Sequence, residues 1–544
     1  MRCRSVATPH DLGDAIGDDR GHPPAQNLAS PAAETGHVTC TTPPRAVPAS
    51  SVGPSYAEQM PAASSTPARP IATPPRLGLA RTALIASLTF GLFFGAGNLI
   101  FPVEMGRAAG SAMPLASLGF LATAVCLPLL GILACAISGS TDAAGLTRPV
   151  GRRYATVFTA ALYLTIGPLF AIPRTATVSF EVGIRPLLGA RTDPSIPLLV
   201  FSLLFFAVAT VAALRPGRIL DIVGRYLTPI FLVLLATLLI AAIAAPMLTG
   251  PLPAPQEAYA AVPTVRGLVD GYQTMDALAS VAFAIVVIGA ITRMGRTAAR
   301  DVTTTVLRSG VLAVVAMCLI YAALAYLGAT SRTVAPDAPN GGAILAAAAQ
   351  HYYGGIGQLL IAAIVLVACL KTSIGLAAAC AEAFRELFGP RPAYRVWVVV
   401  FCAVSAAIAN LGLAGIVSIS VPVLLFLYPL TIVAIGLGLA HRWVGDRPTL
   451  HRVTTLFVGC AAFIDLVAAL PFAVPGRDAL VGAAKAVLPG YGLGFGWVVP
   501  AVVGLVLGAV LSRVRGEGRE HDGTDGAGTD AAEAERPGMD GASA

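Results

Sequence analysis

The sequence predicts an all-α polytopic membrane protein of twelve transmembrane helices, and three observations carry that expectation. The 544-residue chain is 56% hydrophobic and only 12% charged, whereas a water-soluble protein of this length carries about 25% charged residues. Charge is also absent from long runs: 22 residues between Arg81 and Glu104, 34 between Arg107 and Asp142, 31 between Arg225 and Glu257, 23 between Arg308 and Arg332, and 46 between Arg395 and Arg442. One crossing of the hydrocarbon core needs about 20 mostly apolar residues. Finally, the basic residues alternate between successive connecting segments, as they do when short loops lie on opposite sides of a membrane.

In chain order, residues 1–75 are rich in Pro, Ala, Ser and Thr and lack a sustained apolar run. They read as a disordered extension that cannot bury enough apolar surface to fold. No apolar stretch follows a basic one there, so the segment does not read as a signal peptide, and Met60 is an alternative start. Twelve spans are expected near 79–102, 112–137, 155–180, 196–214, 226–247, 271–292, 307–329, 354–383, 395–410, 416–440, 453–474 and 494–513, within a transporter-sized domain of 76–513. Asn410-Leu411-Gly412 is a turn signal that divides the ninth span from the tenth. The Gly- and acid-rich stretch 514–544 reads as a disordered tail. With the N-terminus inside, the cytoplasmic segments hold nineteen basic residues, from Arg76 and Arg81 to Arg513 and Arg515. The outer segments hold seven: Arg107, Arg185, Arg191, Arg266, Arg332, Arg477 and Lys485. One span too many or too few in the middle would destroy this alternation, so both termini are expected in the cytoplasm of a cell with this chain in its inner membrane.

Composition also narrows function. The net charge of +7 sits in short loops and forms no patch, so no nucleic-acid partner is expected. The nine cysteines contain no C-x-x-C pair and mostly lie in or beside apolar runs, where Cys behaves as a small hydrophobe. An ATP-driven pump needs G-x-x-x-x-G-K-[ST], and neither of the two lysines follows a glycine. A membrane enzyme would need clustered His, Asp or Glu or a large soluble loop, and the seven histidines are scattered over tails and loops. A channel would show charge rings or a repeated filter string, and neither is visible. A secondary transporter remains, with no cofactor and with the lipid bilayer and a small molecule as its partners. Oligomeric state is not legible.

The first span reads Leu92-Phe93-Phe94-Gly95-Ala96-Gly97-Asn98-Leu99-Ile100-Phe101-Pro102. Two glycines, an asparagine and a proline so close together argue for a broken helix, since each glycine costs about 1 kcal/mol relative to alanine in a helix interior. Irregular backbone at membrane depth survives where it lines a cavity or is buried in protein. Freed amides there suit a carboxylate, and freed carbonyls suit a hard cation. Close helix packing through small residues explains the same pattern equally well.

The strings Phe94-Gly-Ala-Gly-Asn98, Gly167-Pro-Leu-Phe-Ala-Ile-Pro-Arg-Thr-Ala-Thr-Val-Ser-Phe-Glu-Val-Gly183, Gly271-Tyr-Gln-Thr-Met-Asp276, Asn340-Gly-Gly-Ala-Ile344, Cys369-Leu-Lys-Thr-Ser-Ile-Gly375 and Ser420-Val-Pro-Val423 resemble the branched-chain amino acid:cation symporter (LIVCS) family over about residues 79–513. The resemblance implies uptake of leucine, isoleucine and valine, coupled to sodium or to protons. It also implies a leucine-transporter-like fold of two inverted five-helix repeats, with the first and sixth helices broken around the substrate. Carried over on these motifs, the amides of Ala96 and Gly97 would hold the substrate carboxylate. The carbonyls of Gly91, Phe94 and Cys369 and the hydroxyls of Thr372 and Ser373 would ligate sodium, and Asn98 a second sodium.

Lys371 departs from that pattern, because an uncharged residue is usual there. Its ammonium could replace sodium and make coupling proton-driven. Alternatively it lies on another helix face, since neighbouring residues point about 100° apart, or reaches an aqueous cavity. Sodium is the expected coupling ion. Asp276 could hold the substrate ammonium or a cation, or be an acid at a helix N-terminus. Arg174 could pair with an acid to close the external vestibule, or sit at the interface as an ordinary arginine. Asp465 is expected to make a structural pairing or an oligomer contact.

Overall fold

The computed structural model describes residues 78–188 and 193–517. The expectations for 1–75 and for the tail beyond residue 517, and the position of Arg76, lie outside the described residues. Among the described residues the secondary structure is entirely helical. In chain order the helices are α1 (Leu79–Phe93), α2 (Ala96–Ala109), α3 (Met113–Leu121), α4 (Leu127–Ile137), α5 (Ala143–Thr147), α6 (Arg152–Leu164), α7 (Ala171–Ser179), α8 (Ser195–Ala213), α9 (Thr228–Ala244), α10 (Glu257–Ala261) and α11 (Pro263–Gly271). They continue as α12 (Asp276–Arg293), α13 (Ala299–Thr330), α14 (Gly341–Tyr353), α15 (Gly355–Phe388), α16 (Tyr394–Ala409), α17 (Gly412–Leu439), α18 (His441–Val444), α19 (Pro448–Ala469), α20 (Arg477–Val487) and α21 (Val498–Val514).

Among the described residues, nine helical stretches are long and apolar enough to cross a membrane, and three shorter apolar helices, α1, α16 and α21, accompany them. The chain is thus a multi-pass membrane protein. α3 and α4 run on through a π-helical segment at Ala122–Cys126, and a second such segment, Thr165–Leu169, links α6 to α7. Inside the latter, Gly167 leaves helical geometry just before Pro168, which breaks the local ladder because proline offers no N–H. Every expected span overlaps a helix, but several helices outrun the expected bounds. α15 extends to Phe388 and the sixth region begins at Pro263. The polar ends of such helices escape a reading based on apolar runs.

Two discontinuities organise the interior. α1 stops at Phe93, Phe94 and Gly95 are not helical, and α2 begins at Ala96. α11 stops at Gly271, a single 3-10 turn covers Tyr272–Thr274, and Met275 adopts φ 64°, ψ 9° before α12 starts. Met275 is the one non-glycine with positive φ among the described residues. Such a left-handed residue costs about 1–3 kcal/mol and persists only where its surroundings impose it. Both halves of the first break pack on α13, and the two halves of the second pack on α3 and α4. α7 and α15 complete the centre, packed on each other and on the broken pairs.

Candidate functional site

The first break exposes the C-terminal end of α1 and the N-terminal end of α2 to one another. A helix end leaves four carbonyls or four amides without intrahelical partners, and each end carries about half a charge, negative for carbonyls and positive for amides. The second break does the same with α11 and α12. Four helix ends therefore converge inside the protein, and the buried charges sort themselves among them.

At the end of α1 the carbonyl oxygens meet a cation supplied by the chain. Lys371, on the unbroken helix α15, is fully buried. Its Nζ donates to the Gly91 carbonyl at 3.0 Å and to the Phe94 carbonyl. Three rings surround the ammonium, with centroids 4.7 Å away for Phe231 and 5.7 Å for both Phe90 and Phe94. Cations are attracted to aromatic faces at such distances. Thr372 makes a long bond of 3.5 Å from Oγ1 to the same Phe94 carbonyl. Ser373 is buried, and its hydroxyl has no hydrogen-bond partner. Cys369 lies one turn earlier in the same uninterrupted helix.

At the start of α12 the positive helix end is matched by Asp276, a buried carboxylate in the first turn. Asn98 ties the two breaks together: its Nδ2 donates to Asp276 Oδ2 and lies in hydrogen-bond contact with the Tyr321 hydroxyl. Its Oδ1, the atom a cation would use, accepts from the Gly95 amide at 3.1 Å.

The start of α2 lies beside the same carboxylate, through the bond from Asn98 in its first turn to Asp276. Gly95, Gly97 and Asn98, at the break and in the first turn of α2, line a small cavity of about 30 Å³. Leu92, Phe93, Ile166, Ala279, Phe283 and Leu376 form its apolar wall, and Gly97, Asp276 and Thr372 contribute polar edges. That volume holds about two water molecules, so an amino acid can enter only if side chains move. Arg174 is buried and lines both this cavity and a wider vestibule of about 600 Å³ bounded by Arg107, Gln273 and Ser420. Its guanidinium lies over Phe101, 5.7 Å from the ring centroid. A second vestibule of about 490 Å³, lined by Gly289, Thr292, Glu382 and Tyr394, lies towards the other end of α12.

The candidate residues Gly91, Phe94, Gly97, Asn98, Arg174, Asp276, Lys371 and Thr372 are thus gathered around the two breaks, as is the backbone of Ala96. No hydrogen bond joins Cys369 or Ser373 to the break among the described residues. Two of the three carbonyls named as sodium ligands, those of Gly91 and Phe94, are engaged by an ammonium, which does not suit a sodium ion in the same place. A second monovalent cation about 4 Å from Nζ would be repelled by about 4 kcal/mol at an effective dielectric constant of about 20. Sequence reasoning missed Phe90, Phe231 and Tyr321, because an aromatic residue in an apolar helix carries no signal of which neighbour it faces. Asp465 lies apart from this centre, hydrogen bonded to the Tyr491 side chain.

Interrupted helices around a small central cavity, with larger vestibules along the same helices, define a polytopic membrane protein whose helix ends meet in its interior. Residues 79–515 match the family described as branched-chain amino acid transport protein, and the chain belongs to that family. It is a transport protein and not an enzyme. It is 42% identical over 428 residues to the branched-chain amino acid permease BrnQ of Lactobacillus delbrueckii subsp. lactis, covering 79% of this chain and 96% of that one. It is 41% identical over 439 residues to the branched-chain amino acid permease BraB of Bacillus subtilis (strain 168), covering 81% and 97%. The branched-chain amino acid transport system 2 carrier protein of Pseudomonas aeruginosa is 42% identical over 433 residues, covering 80% and 96%. Among solved structures, Mhp1, a nucleobase-cation-symport-1 family transporter in a closed conformation with bromovinylhydantoin bound, aligns with a TM-score of 0.46 at 15% identity, covering 78% and 91%.

Proposed function

We propose that the protein is a secondary active importer of leucine, isoleucine and valine, driven by a cation gradient and working by alternating access. One observation carries this reading: Gly95, Gly97 and Asn98 at the N-terminal end of α2 line a cavity with an apolar wall. A zwitterion would place its carboxylate on the amides of Ala96 and Gly97, because anions favour helix N-termini. Its ammonium would lie towards Asp276, and its branched side chain against Phe93, Ile166 and Phe283. Each methylene in such a pocket is worth about 1–3 kcal/mol, so the three substrates should compete with one another.

We further propose twelve crossings in two inverted five-helix repeats, with both termini in the cytoplasm of the cell membrane. The packing supports the repeat: the first broken helix lies along α13 and the sixth along α3 and α4, the exchange that a twofold axis between repeats produces. Arg174, placed between the wider vestibule and the cavity, would act as the outer gate. The deciding experiment is uptake of labelled leucine by proteoliposomes, with sodium and proton gradients imposed separately and with unlabelled amino acids as competitors. Saturable uptake that isoleucine and valine inhibit, and alanine does not, is expected. Inhibition by alanine as strong as by isoleucine would replace this reading with a carrier for small neutral amino acids in general. Ion flux without substrate would point to a channel.

A further inference from the structure

The freed carbonyls at the C-terminal end of α1 form a cation site by their chemistry alone, since two of them converge on one point at the negative end of a helix. We infer that the resident cation of this site is the Lys371 ammonium, so that the carrier holds its first helix break together without a sodium ion there. This inference rests on the reading of the chain as a carrier only for its transport arm.

Three features of the site support it. The Nζ atom bonds both carbonyls, Gly91 and Phe94, and so takes the oxygens that a metal ion would need. The cage of Phe90, Phe94 and Phe231 is apolar and offers ring faces to a cation, whereas sodium is a hard ion that seeks oxygen. Phe90 and Phe94 stack at 5.0 Å, and Phe94 lies 5.2 Å from Phe231, so the cage is a packed unit joining α1, α9 and the break. A tethered ammonium also differs from a free ion in consequence. It arrives with α15 and cannot leave, so the packing of α1 on α15 does not depend on the ion content of the medium. The facing groups from the surrounding helices fit one resident positive charge. Asp276 lies across the first break through Asn98, and Arg174 is turned to Phe101 on the vestibule side.

Replacing the lysine with threonine should convert the site. Lys371→Thr would release both carbonyls and supply a hydroxyl beside Thr372, and Ser373 already has a buried hydroxyl without a partner. Two measurements test the inference on the purified full-length protein. The first is the thermal midpoint in sodium chloride against choline chloride, because a ligand that binds only the folded state raises that midpoint. The unmodified protein should show no difference, and Lys371→Thr should gain a few degrees in sodium. The second is leucine uptake into proteoliposomes. Uptake by the unmodified protein should be the same with and without sodium. A sodium-dependent rise in midpoint, or sodium stimulation of uptake by about tenfold, in the unmodified protein would overturn the inference. Absence of leucine uptake under any gradient would instead overturn the functional reading, and the thermal measurement would still decide this one. If Lys371→Thr does not fold, the two measurements on the unmodified protein suffice.

Discussion

At the scale of single residues, glycines divide into those that open space for a ligand and those that let helices touch. A Cβ on Gly97 would lie 3.0 Å from Phe101 Cε2 and 3.2 Å from Arg174 Nη2, side-chain atoms at the mouth of the cavity. Gly97→Leu should therefore insert and fold but reduce leucine uptake to background, because its side chain would occupy the space in front of the α2 amides. Uptake at the wild-type rate would mean that the glycine serves packing alone. Asn98 is the residue on which both breaks depend, since it contacts Gly95, Asp276 and Tyr321. Asn98→Ala would leave buried polar groups unpaired, at about 1–3 kcal/mol each. The expected result is a lower thermal midpoint together with a loss of uptake. A stable protein with unchanged uptake would show that the bridge is dispensable.

Whole helices meet through glycines of the second kind. A Cβ on Gly106 would sit 2.0 Å from the Ala325 carbonyl, and one on Gly328 would sit 2.0 Å from the Val103 carbonyl. Each helix of the α2–α13 pair therefore uses a glycine to admit the backbone of the other. α3 and α11 repeat the device with Gly119 against Thr264 and Gly267 against Ala116, at 1.9 and 2.0 Å. Small residues permit such close approach in membranes, where apolar burial does not drive helices together. Gly328→Leu should force the pair apart at a cost of at least about 1–3 kcal/mol. The check is the fraction of monodisperse protein after detergent extraction, which should fall sharply. Gly289→Ala, whose new methyl would meet nothing closer than Arg293 Nη2 at 4.0 Å, should leave it unchanged.

For the whole molecule, the small central cavity between two larger vestibules predicts access that alternates. Cysteines introduced one at a time at Gln273 and Thr292 would report the two vestibules, in a background where all nine native cysteines are replaced. Adding leucine under an imposed gradient should change their reactivity towards a water-soluble maleimide in opposite directions. Parallel changes at both positions would argue against a single moving gate. The proposed twelve crossings also predict that reporters fused to the two ends report the same side of the membrane. Opposite sides would remove one crossing from the count.

The sequence alone determined the class and the approximate place of the apolar helices, and it offered the first break as one of two readings of its glycines. Those features follow from local chemistry: charge-free runs long enough to cross, arginines left in loops, and Gly-Ala-Gly-Asn-x-x-x-Pro in one helix. The motif that resembled a transport family was likewise a matter of contiguous residues. What the sequence did not reveal is where Lys371 goes. Adjacent positions on a helix point about 100° apart, so Lys371 and Thr372 looked like rivals for different faces. Only the packing of α1 on α15 decides the matter, because a four-carbon side chain can bend back to carbonyls that its Cα does not face. Tertiary packing likewise decides that Asn98 joins Asp276, 178 residues away in sequence, and that Phe90 and Phe231 close around one ammonium. Those partners are far apart in the chain, and no local pattern distinguishes them from other apolar residues in other helices.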